Sequence, residues 1–317
     1  MQIRHVPFDA IDLTDTAYTL TPRPAATPAP HLRRSVRRVG ILHPPLLRER
    51  GDSTHRVVAG RQRLLLAMEI SATPGPAACP CLVLDAGMSE ERVFEFLLEE
   101  TLAVRPLTVV EQALFLQKTV ALLGREQTAQ RFLPLLGHSP SPLQIDRLLE
   151  LLPLEEPLLA SLHQGDLEEA AARVLVALPA ADRLLLHGII TTLKLGTGKQ
   201  RKLVIACREL AARHDRTVAE LFAKGEARDI LDHPDANPPQ QAARIMAWLS
   251  RMLQPGLFAA EQSFRRLVDT LRLPATVSLG HAPAFEKDSL ALTVTLRDEK
   301  ELRAAWDALR PLLPAGR

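Results

Sequence analysis

Between about residue 99 and residue 255 the chain shows no alternating apolar pattern, and strand signals occur only before and after that stretch. A sequence divided in this way predicts a helical middle flanked by two mixed ends. Hydrophobic residues make up 46% of the 317 but aromatic residues only 4%. The cores must therefore be built from Leu, Ala and Val, a composition that favours helix. That length suffices for two or three domains with real cores. A net charge of +2 is too small to point to nucleic acid, so the distribution of charge has to decide. Cys79, Cys81 and Cys207 are an odd number without a second ligand pair. They suggest buried thiols in a reducing compartment rather than a disulfide framework or a metal site. The opening "MQIRHVPFDAIDL" lacks a basic segment followed by an apolar core, and no run of about 18 apolar residues occurs. The expectation is a cytoplasmic protein without membrane contact.

Four regions separate by pattern. Residues 1–98 mix strands ("IRHVPFDAI", "PPLLRER", "HRVVAG", "CPCLVLD") with a short helix, "HLRRSVRRVG", closed by Gly40, and a second helix starting at Arg61. This predicts a small α/β (α+β) domain, with a Pro- and Gly-rich loop over residues 71–78. Residues 99–185 read as helices with turns at Gly124, 137–142, Pro153 and 163–166. Residues 186–255 form a helical, basic extension broken at 195–198 and at "HPDANPP", the best linker candidate. Residues 256–317 predict a β-β-α domain with Asp298 as N-cap of the last helix.

The segment "HRVVAGRQRLLLAMEI" combines a strand, a glycine and a helix whose first turn carries Arg61, Gln62 and Arg63. Free N–H groups give a helix N-terminus partial positive charge, so arginines there cost energy unless they serve an anion. Strand, Gly60 and basic helix start thus make a candidate phosphate site. The segment lacks the spacing of a P-loop or a dinucleotide fingerprint.

Its surroundings carry more. Upstream stands "SVRRVGILHPPLLRER", and downstream stands "LLEETLAVRPLTVVEQA". The order resembles the N-terminal domain of the ParB family of DNA-partition proteins. That family runs helix-G-(I/L)-(L/I)-x-P, a strand, G-E-R-R-x-R-A, and a helix ending E-N-x-x-R followed by L-x-x-x-E-x-A. Gly40, Ile41, Leu42 and Pro44 match the first block; Gly60, Arg63 and Ala67 match the second; Glu100, Leu107, Glu111 and Ala113 match the third. The resemblance extends over roughly the first 180 residues. It implies cytidine triphosphate (CTP) with Mg²⁺ as ligand, held by Gly40, His43, Gly60, Arg61, Gln62, Arg63, Glu100, Thr101 and Arg105, with Glu100 on the metal. Departures fall within these blocks. Arg61 stands for the family's Glu, Gln62 for its Arg and His43 for a frequent Gln, while Arg105 lies one place late. Thr101 for Asn loses a carbonyl ligand and keeps a hydroxyl. An anion site survives these changes better than metal-assisted hydrolysis does. The fold is shared with sulfiredoxin, whose reactive Cys is missing beside Gly60.

Residues 127–152, "QTAQRFLPLLGHSPSPLQIDRLLELL", have the layout of a helix-turn-helix. A first helix ends near Leu136, Gly137 turns the chain, and a second begins at Pro142. Ser139, Ser141, Gln144 and Arg147 are the candidate DNA-reading residues, with Leu143, Ile145, Leu148 and Leu149 as packing. Farther on, "LKLGTGKQRK" loads Lys194, Lys199, Arg201 and Lys202 around a second helix start, where phosphate contact would explain the placement. Arg33 with Arg37, and Arg34 with Arg38, form a further basic row. The C-terminal β-β-α unit, with apolar Leu302, Ala305, Trp306, Leu309 and Leu312 at helical spacing, buries too little alone and needs a cover, either the rest of this chain or a second copy; the expectation is a homodimer.

The sequence therefore predicts a dimeric, nucleoid-associated DNA-binding protein for partition or for a related regulatory role, gated by CTP, with an ATPase partner left open. Two alternatives come from other classes. One is a ParB-fold enzyme (nuclease, nucleotide hydrolase or kinase), for which Glu100 stands nearly alone. The other is a protein–protein adaptor that has lost its ligands.

Overall fold

The structure, a computed structural model, describes residues 1–22, 30–71, 78–233, 236–274, 276–282 and 289–309. The expected loop at 71–78 and two residues of "HPDANPP" lie largely outside the described residues. The chain divides into two compact units, Met1–Ile205 and Ala206–Arg317.

Strands β1 (Gln2–Pro7), β2 (Ile11–Asp12), β3 (Leu46–Glu49), β4 (His55–Ala59) and β5 (Ala78–Leu84) make one sheet in the order β1-β5-β3-β4-β2. The β1/β5 and β3/β4 pairs are antiparallel, and β3/β5 and β2/β4 are parallel. Helices α1 (Pro30–Val39) and α2 (Arg61–Ser71) join the strands. Side chains alternate across a strand, and here both faces are buried. Leu47, Val57, Val83, Cys79 and Cys81 pack with Leu64 of α2. Their neighbours Leu46, Val58 and Leu84 face the other way.

That second face continues into helices. α3 (Glu90–Leu102), α4 (Val109–Leu123), α5 (Arg125–Phe132) and α6 (Pro142–Leu149) share one core with it. Edge-to-face rings run Tyr18–Phe94–Phe115–Phe132 with centroids 5.4, 5.9 and 5.1 Å apart, the geometry the ring quadrupole prefers. Thr108 starts α4 with a capping box to Glu111, which satisfies amides the helix leaves open. The α5 helix ends at Phe132, earlier than Leu136, because Pro134 cannot continue its ladder and residues Pro134–Leu136 tighten into a 3₁₀ turn. Gly137 then reverses the chain at φ +79°, a conformation glycine enters without a Cβ penalty.

Four more helices complete the first unit and pass into the second: α7 (Glu156–Gln164), α8 (Glu169–Val176), α9 (Ala180–Thr192) and α10 (Thr197–Arg213). The second unit holds α11 (Val218–Phe222), α12 (Glu226–Leu231), α13 (Pro238–Leu253), α14 (Pro255–Leu271), an antiparallel hairpin of β6 (Val277–His281) and β7 (Leu290–Val294), and α15 (Glu299–Leu309). The step from α12 to α13 lies within that unit. Gln241 of α13 donates to the Leu231 carbonyl at 2.9 Å, and Asn237 caps α13. The expected linker thus falls inside one unit rather than between the two. Among the described residues no helix is long and apolar enough to cross a membrane. The architecture is the expected one: a mixed α/β sheet, an all-helical middle and a small C-terminal hairpin with its helix.

Candidate functional site

A cavity of about 1070 Å³ opens where β4 turns into α2, and Tyr18, Gly60, Gln62, Glu100, Arg105 and His163 are among the residues lining it. Its volume suits a ligand of nucleotide size. Gly60 sits at φ +87°, and a Cβ there would lie 3.0 Å from the Arg63 guanidinium. The bare glycine therefore lets the arginine lie over the turn. No backbone bond is made by the amides of Arg61 and Gln62 among the described residues, so the helix offers donors at that point.

The expected arginines turn out to be engaged already. Arg61 donates to the carbonyls of Leu13 and Asp15 and approaches the Thr19 hydroxyl at 3.5 Å. It fastens residues 13–19 across the sheet, and burial lowers its pKa from the usual guanidinium value. Arg63 donates to the His43 carbonyl at 2.6 Å and to Glu100 at 3.2 Å. Arg105 makes a bidentate pair with Glu111 at 2.7 and 2.6 Å. Glu111 is only 3% exposed and also accepts from the Thr108 amide at 2.9 Å. Burial alone would raise the Glu111 pKa, but the Arg105 guanidinium and the Thr108 amide outweigh it and hold the carboxyl below its usual range.

The Thr101 hydroxyl donates to the Leu97 carbonyl at 2.7 Å, which commits its proton and leaves only lone pairs for a ligand. Gly40, at φ +74°, closes α1 through its amide on the Val36 carbonyl. His43 is exposed and lines the cavity. Among the described residues no group of three or more His, Cys, Asp or Glu surrounds a point fit for a metal. The donors present thus fit an anion at the α2 amides. A cation at Glu100 would need phosphate oxygens for its remaining ligands. Residues 18–22 supply one wall of the cavity, and no local motif marks them.

The second cluster lies around α6. Helix α6 packs on α4 and α5 through buried Ile145 and Leu148, giving a helix-turn-helix arrangement. Ser139 and Arg147 are exposed, and Ser141 and Gln144 half-buried. Ser141 occupies the N-cap without a side-chain bond. Leu143 corrects the expectation of a packing residue: it is 72% exposed. On α6 the buried stripe runs through Ile145 and Leu148, and Leu143 points off it. Arg125 is tied to Asp146 at 2.9 Å. His138 in the turn joins Gln112 of α4 to Gln144, a connection that sequence spacing did not show.

Lys194, Lys199, Arg201 and Lys202 are all exposed around the start of α10. Their neighbour Gln200 is buried, and it ties the turn to α8 by accepting from the Glu168 amide at 2.8 Å and donating to the Asp166 carbonyl at 2.9 Å. The row on α1 is partly neutralised, since Arg33 and Arg37 both pair with Glu69 of α2.

A mixed sheet fused through one core to helix-turn-helix helices, with a cavity lined from β4 to α7, defines the class of a sheet-plus-helical module. The chain is a distant homologue of the ParB/Spo0J chromosome- and plasmid-partitioning proteins, at about 30% identity. It is 31% identical over 153 residues, 48% of this chain and 49% of the other, to the probable chromosome 1-partitioning protein ParB of Deinococcus radiodurans. It is 31% identical over 154 residues to the chromosome-partitioning protein Spo0J of Thermus thermophilus, of which 52% is covered. A probable plasmid-partitioning protein ParB of Thermus thermophilus is 28% identical over 256 residues, 70% of this chain and 82% of the other. The chain spans about half the length of the chromosome-partitioning relatives it matches. No family model matches. Among solved structures, the truncated ParB of Caulobacter crescentus in complex with the centromeric parS site covers 63% of this chain and 98% of that one, with 21% identity and a TM-score of 0.33. The same protein with CTP-γ-S covers 60% and 99%, with 23% identity and a TM-score of 0.24.

Proposed function

We propose that this chain is a DNA-binding protein of partition type, acting in DNA segregation or as a related regulator, with a nucleoside triphosphate bound in the N-terminal cavity. The observation that carries the reading is α6. Ile145 and Leu148 lock one side of it into the core, while Ser139 and Arg147 are exposed and Ser141 and Gln144 half-buried beside them. A helix so held presents its first turns to a major groove. Lys194, Lys199, Arg201 and Lys202 would add phosphate contacts, which position a protein on DNA without reading it. In the cavity the Arg61 and Gln62 amides would face the phosphates of CTP. Glu100 would help hold Mg²⁺ once released from Arg63, which binding of the phosphates by Arg63 would favour. The metal would supply charge neutralisation there.

A second copy of the chain, joined through the C-terminal β-β-α region, would give two reading heads for a two-fold site. An ATPase partner is a further proposal for this role. One observation favours the adaptor alternative. Arg61, Arg63 and Arg105 already have carbonyl or carboxylate partners, so a protein that kept the fold and lost nucleotide would look like this.

The test is to incubate the purified chain with sheared genomic DNA at near-physiological salt, with and without CTP and Mg²⁺, and to sequence what is retained. A sharply enriched site is expected, with spreading around it only when nucleotide is present. A site without nucleotide dependence would favour the second reading for the cavity. Uniform recovery in both arms would overturn specific DNA binding.

A further inference from the structure

Three polar side chains stand in line from α4 to α6. Gln112 donates through Nε2 to the Leu107 carbonyl at 3.1 Å. Its Oε1 lies 2.7 Å from His138 Nε2, and His138 Nδ1 lies 3.3 Å from Gln144 Nε2. The direction of every proton follows from the fixed end. A backbone carbonyl only accepts, so the Gln112 group facing Leu107 is its amino group, and Oε1 is left toward His138. That oxygen also only accepts, so His138 Nε2 carries the proton. In the neutral ring Nδ1 is then bare and accepts from Gln144.

The chain of bonds thereby fixes the Gln144 amide. One N–H is spent on His138, while Oε1 and the second N–H remain. Those two groups are what a glutamine offers to adenine, accepting from N6 and donating to N7. Guanine presents acceptors at both O6 and N7, so the fixed Oε1 would meet an acceptor. An amide free to rotate about its last bond would turn its amino group to O6 and lose the distinction.

We propose that His138 and Gln112 are positioning residues that orient the Gln144 amide, so that one base pair of the bound site is read as adenine rather than guanine. This rests on the reading role proposed above for α6. Neither residue touches a base itself. Gln112 belongs to α4, whose first turn borders the cavity, while His138 lies in the turn that sets where α6 begins.

The experiment is selection of binding sites from randomised duplexes by the full chain and by three variants, His138→Ala, Gln112→Leu and Gln144→Ala, with circular dichroism on each. The wild type should enrich adenine over guanine roughly tenfold at one position, the discrimination a well-placed bidentate pair supplies. All three variants should lose that preference and keep the preferences at other positions. Gln112→Leu removes only the anchor and leaves the ring in place, so it tests the idea even where His138→Ala does not fold. If Gln144→Ala loses the preference while Gln112→Leu keeps it, the positioning role is overturned and reading by α6 stands. Loss of preference at every position in Gln112→Leu would make the chain merely structural and would overturn the proposal as well. If the wild type enriches no site, the reading of α6 falls, and this inference falls with it.

Discussion

Leu143 and Leu148 sit on one short helix and should behave in opposite ways. Leu148 is 1% exposed inside the core shared by the sheet and α3–α6, whereas Leu143 is 72% exposed. Leu148→Ala removes buried methyl groups and leaves a hole, which costs about 2–5 kcal/mol. Leu143→Ala should stay within about 0.5 kcal/mol, as surface changes do. Urea titration of both variants checks the pair, and a large loss at Leu143 would mean that α6 packs differently. Gly60 is the second decisive residue. At its φ of +87° an L side chain is strained, and a Cβ would lie 3.0 Å from the Arg63 guanidinium, which would have to shift. Gly60→Ala should cost about 1–3 kcal/mol and push Arg63 off Glu100. Denaturant unfolding reads the first effect and the mobility of the Glu100 carboxyl in NMR reads the second.

At the scale of elements, the start of α4 depends on Glu111. Its carboxyl caps the helix through Thr108 and holds Arg105, and its pKa lies below the usual value. A depressed folded pKa means that the native state binds the proton less readily than the unfolded chain does. The stabilisation is therefore complete above the unfolded pKa, near 4.5, and is lost as pH falls through the lower folded value. Glu111→Gln should lower stability at pH 7 by about 1–3 kcal/mol, a buried-pair figure discounted because Arg105 is half exposed. The gap between variant and wild type should close as the solution is acidified below pH 4. A pH-independent gap in chemical unfolding would mean that the charge of Glu111 does not matter.

The elements themselves were mostly legible, and for a local reason. β4, Gly60 and α2 follow from a β-branched run, a glycine and a helical period. α6 follows from Gly137 and Pro142. What could not be read was pairing across distance. Arg61 binds carbonyls 46 and 48 residues away, and Arg33 finds Glu69 across 36. Placing arginines at helix starts suggested an incoming anion, yet the fold supplied internal acceptors. The edge at α10 differs, because Lys194, Lys199, Arg201 and Lys202 remain exposed. If they contact phosphates, Lys199→Ala with Arg201→Ala should lower affinity similarly for all sequences. It should also make the slope of log K against log salt shallower by about 2. An unchanged slope would remove this edge from the interface.

At the scale of the molecule the open question is what covers the C-terminal hairpin. Leu290, Leu292, Leu302 and Trp306 are between 42% and 55% exposed. The side chains of Ala305 and Leu309, and all of Leu312, lie outside the described residues. Alternation along β7 should put one face in a core, but its first four residues are all exposed. A two-stranded ribbon with one helix is marginal in water unless a further layer covers it. The proposed second copy would supply that layer at little cost, since a two-fold axis makes one apolar patch its own complement. Leu292→Asp with Trp306→Asp places charges at the centre of that patch, where an unpaired buried charge is expensive. Sedimentation should give twice the chain mass for the wild type and a single chain for the double variant, with the same far-ultraviolet dichroism. DNA binding separates the consequences further. Two linked heads gain from effective concentration, so a monomer should lose on the order of 100-fold on a two-fold site and little on a half-site. A double variant that still sediments as the dimer would assign these leucines and Trp306 to a face within one chain, and pairing would then have to run through another surface.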